Sequence, residues 1–266
     1  MTTAVLALSD AGARLADRLR TALDGCETHL HASVDPAFAG ARFDRVTERT
    51  AELFDRVTGL VYVLPMGVAV RAVAPHLRHK TTDPAVVGVD VGGRWAVSLV
   101  SGHEGGANDL ALAVANCLGA EPVISTTTEA AKTILAGVGC RRGIGAEAVI
   151  AAVDAALDAA DLDRSAVRLL ASVDLKRDEA GLLEAAARMG LPLRFVPADE
   201  IRGCARAFAP TPAAARHLDL PAVAEPAALL AGRRTTLRLP KQVRDGVTVA
   251  LAQEDCTLSG LGPATP

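Results

Sequence analysis

Residues 59–119 read GLVYVLPMGVAVRAVAPHLRHKTTDPAVVGVDVGGRWAVSLVSGHEGGANDLALAVANCLG. GLVYVLP is a continuous apolar run closed by Pro65, which has no N–H to extend a ladder, so it predicts a buried strand. VAVRAVAPHL spaces its apolar residues as one helix face does. AVVGVD and WAVSLV are two further apolar runs, and GANDLALAVANCLG reads as a helix stopped by Gly119. A strand that is apolar on both faces needs cover on both faces, and the intervening helices supply it. That is the signature of an α/β sheet.

The same alternation extends outward. AVLAL at 4–8 leads through Ser9 and Asp10, both good helix-capping types, into a helix ending near Gly25, and RVTERTAELFDRV predicts another. PVIST closes the first half. Beyond it, KTILAGVG, VRLLASVD and LRFV predict strands, while GAEAVIAAVDAALDAA and EAGLLEAAARMG predict helices, the latter ending at Gly190. An irregular Pro/Ala-rich stretch (Pro210–Pro221) precedes a short helix near Val223–Leu230 and two strands, TLRLP and VTVALA. The expectation is two α/β domains, each a mostly parallel sheet flanked by helices, with a cleft between them. Their bounds are set at 1–127 and 131–256, split in the Thr-rich STTTEAAK, with a tail over 257–266.

Half of the 266 residues are hydrophobic but only 3% are aromatic, so the core must be built from Ala, Val and Leu. A net charge of −3 argues against a nucleic-acid binder, and an anionic ligand must be met by a local group of cations. No apolar run approaches the ~18 residues of a membrane span, and MTTAVLALSDAGARLADRL lacks the basic and apolar regions of a signal peptide. The five cysteines (Cys26, Cys117, Cys140, Cys204, Cys256) form no CxxC pair, which suits reduced thiols of the cytoplasm.

Three Gly-punctuated turns follow strands, where open α/β sheets gather their ligands. LPMGVAVRAVAPHL places Gly67 at a helix start, with Arg71 one turn on. SGHEGGAND sets His103 beside Glu104 between Gly102 and the pair Gly105–Gly106, followed by Asn108. GVGCRRGIGAE offers the amides of Gly139 and its neighbours with Cys140, Arg141 and Arg142, but its glycines lack the spacing of a dinucleotide fingerprint. Each residue also has a plainer reading. His103 suits a turn cap, Glu104 a helix-start acid, Cys140 a small buried thiol, and Arg71 and Lys80 solvated charge. His76 and His79, three apart, lack a third ligand for a metal site.

Together these segments say more. The stretch 65–111, from PMGVAVRAVAPHLRHKTTDP to SGHEGGANDLA, closely resembles the N-terminal region of the cobalt-precorrin-5A hydrolases, the CbiG family of anaerobic cobalamin biosynthesis. GVGCRRGIGAEAV, LASVDLKRDEAGLLEAAARMGLPLRF and LPAVAEPAALL with LRLPKQVRDGVTVALA resemble that family's C-terminal domain. The resemblance runs in order from about residue 4 to 254. It departs in one place, because family members commonly carry a middle segment where PVISTTTEAAKTILAGVGC joins the two regions almost directly. The tail TLSGLGPATP resembles the opening of a tetrapyrrole methyltransferase.

The resemblance implies an enzyme that opens the δ-lactone between the ring A acetate and C-20 of cobalt-precorrin-5A. It then releases the two-carbon C-20 unit as acetaldehyde, giving cobalt-precorrin-5B. His103 or Glu104 would serve as base, Asn108 would orient the carbonyl or the water, and amides near Gly102, Gly105 and Gly106 would face the oxyanion, each worth about 3 kcal/mol. Gly67, Arg71, Lys80, Gly139, Cys140, Arg141, Arg142, Lys176 and Lys241 are the further candidates for binding a macrocycle rich in carboxylates. Cobalt belongs to the substrate, so no cofactor and no metal ligands are expected, although His103 as an axial cobalt ligand is a second reading. The expected partner is the cobalt-corrinoid small molecule, with no nucleic acid and no membrane. A homodimer and contact with other cobalamin-pathway enzymes stay open. Two alternatives stand beside the hydrolase: a non-catalytic corrinoid-binding or carrier protein of the same pathway, and a Cys-dependent acyl hydrolase built on Cys140.

Overall fold

In the computed structural model, residues 2–205, 208, 214–215 and 218–255 are described. Cys256, the tail 257–266 and part of the Pro/Ala-rich stretch lie outside them. The chain divides into two units, Met1–Thr126 and Thr127–Pro266.

The first unit runs β1 (Thr3–Ala7), α1 (Asp10–Ala22), β2 (Cys26–His31), β3 (Ala41–Phe43), α2 (Val46–Phe54), β4 (Gly59–Val63), α3 (Met66–Val73), β5 (Ala85–Val89), β6 (Trp95–Val100), α4 (Ala107–Leu118) and β7 (Glu121–Val123). Its sheet has the order β3-β2-β1-β4-β5-β6-β7. Ser9 caps α1 through its hydroxyl, which accepts the Gly12 N–H at 3.2 Å. Helices α1 and α4 cover one face with Ala13, Ala16, Leu19, Ala111 and Val114. Helices α2 and α3 cover the other with Leu53, Phe54, Ala69, Ala72 and Val73. Small side chains let the helices lie close to the sheet, as the scarcity of aromatics requires.

One pairing departs from the parallel pattern and decides where the candidate residues fall. β6 runs antiparallel to β5, with Val100 opposite Val86 and Ala96 opposite Val89. The reversal is made by a tight turn organised by Asp90. Its carboxylate accepts N–H bonds from Gly92 (3.1 Å), Arg94 (2.7 Å) and Trp95 (3.0 Å), and the Arg94 side chain at 3.1 Å. Burial pushes the Asp90 carboxyl up, but these donors outweigh it and hold the group below its ordinary range.

The second unit runs α5 (Thr127–Ala130), β8 (Ile134–Cys140), α6 (Ala146–Ala159), β9 (Val167–Val173), α7 (Ala180–Met189), β10 (Leu193–Val196), α8 (Ala198–Gly203), α9 (Ala224–Leu230), β11 (Thr235–Arg244) and β12 (Val247–Glu254). The sheet order is β10-β9-β8-β12-β11. β8, β9 and β10 are parallel, while β12 is antiparallel to both β8 and β11. Both sheets are therefore mixed, and in the second unit half of the pairings are antiparallel rather than a minority. Helices α6 and α7 cover one face and α8 and α9 the other. Gly137 in β8 is what admits α9, since a Cβ there would collide with the Ala224 carbonyl and meet Ala228 N at 2.6 Å.

Candidate functional site

The two parallel strands β4 and β5 end at Val63 and Val89, whereas antiparallel β6 ends at Val100 beside the start of β5. The turn carrying Gly67 and Arg71 therefore lies at one edge of the first sheet and the loop Ser101–Gly106 at the other, on the order of 15 Å away along the strands. This corrects the expectation that the two turns share an edge. Arg71 reaches back along its own helix, donating to the Gly67 carbonyl at 3.2 Å. Gly67 and Arg71 are thus not companions of His103.

Lys80 is such a companion. It precedes β5, and its ammonium lies 2.5 Å from Glu104 Oε1, with both side chains largely exposed. The lysine beside it holds the Glu104 carboxyl below its ordinary range. A carboxylate held ionised by a salt bridge is a weak proton acceptor near neutrality, so the arrangement speaks against Glu104 as the base. His103 is exposed on the same loop. Gly105 is required by close approach, because a Cβ there would overlap the Ser101 Cβ and sit 3.0 Å from the Lys80 carbonyl.

Asn108 is buried in the first turn of α4 and both ends of its carboxamide are occupied. Oδ1 accepts from Ser98 Oγ at 2.9 Å, and Nδ2 donates to Thr126 Oγ1 at 3.0 Å. Its backbone N–H donates to the Gly102 carbonyl at 2.9 Å, next to Ala107 N–H on Ser101 O at 3.0 Å. The expected role of orienting a water is replaced by a brace that ties the loop to α4 and to Thr126. Those two amides are spent within the loop, which leaves any oxyanion contact to the glycines before them.

In the second unit the candidates converge. Gly139, Cys140, Arg141, Arg142, Lys176 and Lys241 all line one cavity of about 1040 Å³. It sits where the parallel strands β8 and β9 end and antiparallel β12 begins, Val247 being opposite Cys140. This is the edge where α/β sheets hold ligands. The cations are not equivalent. Arg141 lies over Gly246 in the β11–β12 turn, where a Cβ would collide with its guanidinium, and Nη2 donates to the Asp245 carbonyl at 3.4 Å. Lys176 is 3.4 Å from Glu179, and both side chains are about nine-tenths buried. Lys241 donates its backbone N–H to Glu225 Oε1 at 3.1 Å. Among the described residues Arg142 is exposed and makes no hydrogen bond or ion pair.

Cys140 is half-buried at the cavity wall. Burial raises its thiol pKa, Lys176 partly offsets this and Glu179 adds to it. A protonated thiol with no histidine among the described lining residues is poorly set up as a nucleophile, which removes the physical basis for a Cys140-dependent acyl hydrolase.

Three residues escaped the sequence reading. Glu179 accepts the Gly143 N–H at 2.6 Å and so holds the arginine-bearing turn against the start of α7. Glu225 is buried on the opposite wall. Ser101 directly follows β6 with φ 60, in the left-handed region, and its buried hydroxyl has no hydrogen-bond partner among the described residues. Glu179 lies inside the motif LASVDLKRDEAG, but only the fold shows that it reaches Gly143. Among the described residues no three His, Cys, Asp or Glu side chains are grouped to hold a metal, and no helix is long and apolar enough to cross a membrane.

Fold and site together define an α/β protein with a cation-lined cavity at strand ends in one unit and a histidine-bearing glycine loop in the other. The model for the cobalamin synthesis G N-terminal region matches residues 48–129, and that for the cobalamin synthesis G C-terminus matches 134–252, leaving four residues between. The cobalt-precorrin-5A hydrolase of Priestia megaterium is 24% identical over 298 residues, covering 75% of this chain and 79% of that protein. The cobalt-precorrin-5A hydrolase of Salmonella typhimurium is 46% identical over 88 residues, 33% of this chain but only 25% of that protein. Protein CobE of a Sinorhizobium species is 36% identical over 141 residues, 52% of this chain and 86% of CobE. The chain belongs to the CbiG family of cobalamin-biosynthesis proteins.

Proposed function

We propose that this chain is a cobalt-precorrin-5A hydrolase that opens the ring A acetate δ-lactone and releases the C-20 unit as acetaldehyde to give cobalt-precorrin-5B. The observation that carries the reading is the cavity of the second unit. Its volume, about 1040 Å³, is at the upper end for small-molecule sites, as a tetrapyrrole requires. Among the described residues Arg142 makes no hydrogen bond or ion pair, so it is ready to pair with a peripheral carboxylate, and Arg141, Lys176 and Lys241 line the same cavity beside Asp178, Glu179 and Glu225. Cobalt comes with the substrate, so the reaction needs no resident metal or cofactor.

His103 is the base. Imidazole is the side chain suited to moving protons near neutral pH, and His103 is free of the ion pair that engages Glu104. It takes a proton from water as the water attacks the lactone carbonyl. It then returns a proton as the ring opens and assists the retro-aldol-like loss of the two-carbon unit. Lys80, held near the loop by Glu104, is positioned to meet a substrate carboxylate. The test is anaerobic incubation of purified protein with cobalt-precorrin-5A, followed by corrinoid mass and trapped acetaldehyde. Loss of the two-carbon unit with matching acetaldehyde is expected.

One observation favours a second reading, a non-catalytic corrinoid carrier. The alignment with the Priestia megaterium protein extends over 298 residues, more than the 266 of this chain, so that relative contains residues within the aligned region that this chain lacks. If catalytic groups reside there, the same incubation will show tight binding and an unchanged corrinoid mass.

A further inference from the structure

Ser101 combines two features that each cost stability. Its φ of 60 places an L side chain in the left-handed region, which glycine occupies freely and serine does not. Its hydroxyl is buried, with the residue 5% exposed, and has no hydrogen-bond partner among the described residues. Buried hydroxyls are nearly always paired, and an orphan is destabilising. Glycine at this position would relieve both, and the loop already uses glycine at 102, 105 and 106. Yet the strained position at the exit of β6 is a serine, two residues before His103.

The surroundings explain how the strain is held. The Ser101 carbonyl accepts the Ala107 N–H at 3.0 Å, which fixes its backbone to the start of the twelve-residue helix α4. The side chain is rooted directly under Gly105, where any Cβ would overlap it. The bracing of Asn108 on Ser98 and Thr126 keeps that helix start in place. A strained, unpartnered polar group held by an over-determined scaffold is the pattern of groups reserved for a ligand.

Resting on the hydrolase reading above, we propose that Ser101 is a further catalytic residue, whose hydroxyl donates a hydrogen bond to the lactone carbonyl oxygen. Substrate supplies the missing partner. The developing oxyanion then has a side-chain donor next to the base, in a loop whose later amides are already engaged. The hydroxyl keeps its proton throughout; it stabilises charge and forms no covalent bond.

The experiment compares wild type, Ser101→Ala and Ser101→Gly for thermal stability and for steady-state turnover of cobalt-precorrin-5A. Both variants should melt at or above the wild-type temperature, because each removes the orphan hydroxyl and the glycine also removes the strain. Both should lose kcat by roughly a hundredfold, as for loss of one oxyanion donor, with KM little changed. Variants that melt clearly below wild type would show that the hydroxyl has a structural partner, and would overturn the proposal whatever their activity. Stable variants with wild-type kcat would overturn it while leaving the hydrolase reading intact. A wild-type protein that binds the substrate without turnover would overturn both.

Discussion

The two units handle their glycine turns in opposite ways. In the first, an antiparallel strand carries its exit loop away from the edge where its parallel neighbours end, so the turn at Gly67 and the loop of His103 lie at opposite ends of the strands. In the second, antiparallel β12 begins where parallel β8 ends, so the β11–β12 turn joins the arginine-bearing turn around one cavity. Strand direction, more than motif content, decides which residues meet. The lesson is that a Gly-rich turn after a strand marks an edge only once the direction of that strand is known.

The largest effect is expected where the second unit depends on contact at its backbone. Gly137→Ala sets a methyl against the Ala224 carbonyl and should destabilise that unit by about 3 kcal/mol or more, read from denaturant unfolding. In the first unit the corresponding point is the turn that reverses β6. Asp90→Ala removes the acceptor of three N–H groups and should lower stability by about 2 kcal/mol. Because the folded-state carboxyl is held low, its contribution is present above the ordinary carboxylate range, near pH 4, and is lost as pH falls through the lowered value. Acid titration of Asp90→Asn should lack that loss. Cys140→Ser should keep turnover within about twofold of wild type, because a thiol with a raised pKa has no nucleophilic part to lose. Smallest of all, Lys80→Met should leave thermal stability unchanged, since its pair with Glu104 is exposed.

Much of the fold was legible in the sequence, because continuous apolar strands and capped helices are local patterns. The strands at 59–63, 85–89 and 134–140 and the helix stops at Gly119 and Gly190 follow from it directly. β2, with the sequence CETHLH, was missed because polar and apolar residues mix along it, and β3 is only three residues long. The direction of β6 was not legible: WAVSLV reads the same whichever way it runs. The cations of the cavity were readable as residue types, but their sorting was not. That Arg141 lies on the Asp245–Gly246 turn and that Glu179 pins the arginine-bearing turn at Gly143 depends on contacts across 104 and 36 residues of sequence, and only the Lys176–Glu179 pair is local. Ser101 was hidden for a related reason, since an unpaired hydroxyl and a left-handed φ leave no trace in residue order.

The contrast between the units is tested most directly by the affinity of cobalt-precorrin-5A for two arginine variants measured side by side. Arg142→Ala should weaken binding about tenfold, the loss of one charge-assisted carboxylate contact, and Arg71→Ala should leave it unchanged. Unaltered affinity in Arg142→Ala, with the loss appearing in Arg71→Ala instead, would contradict the assignment of the macrocycle to the second unit's cavity.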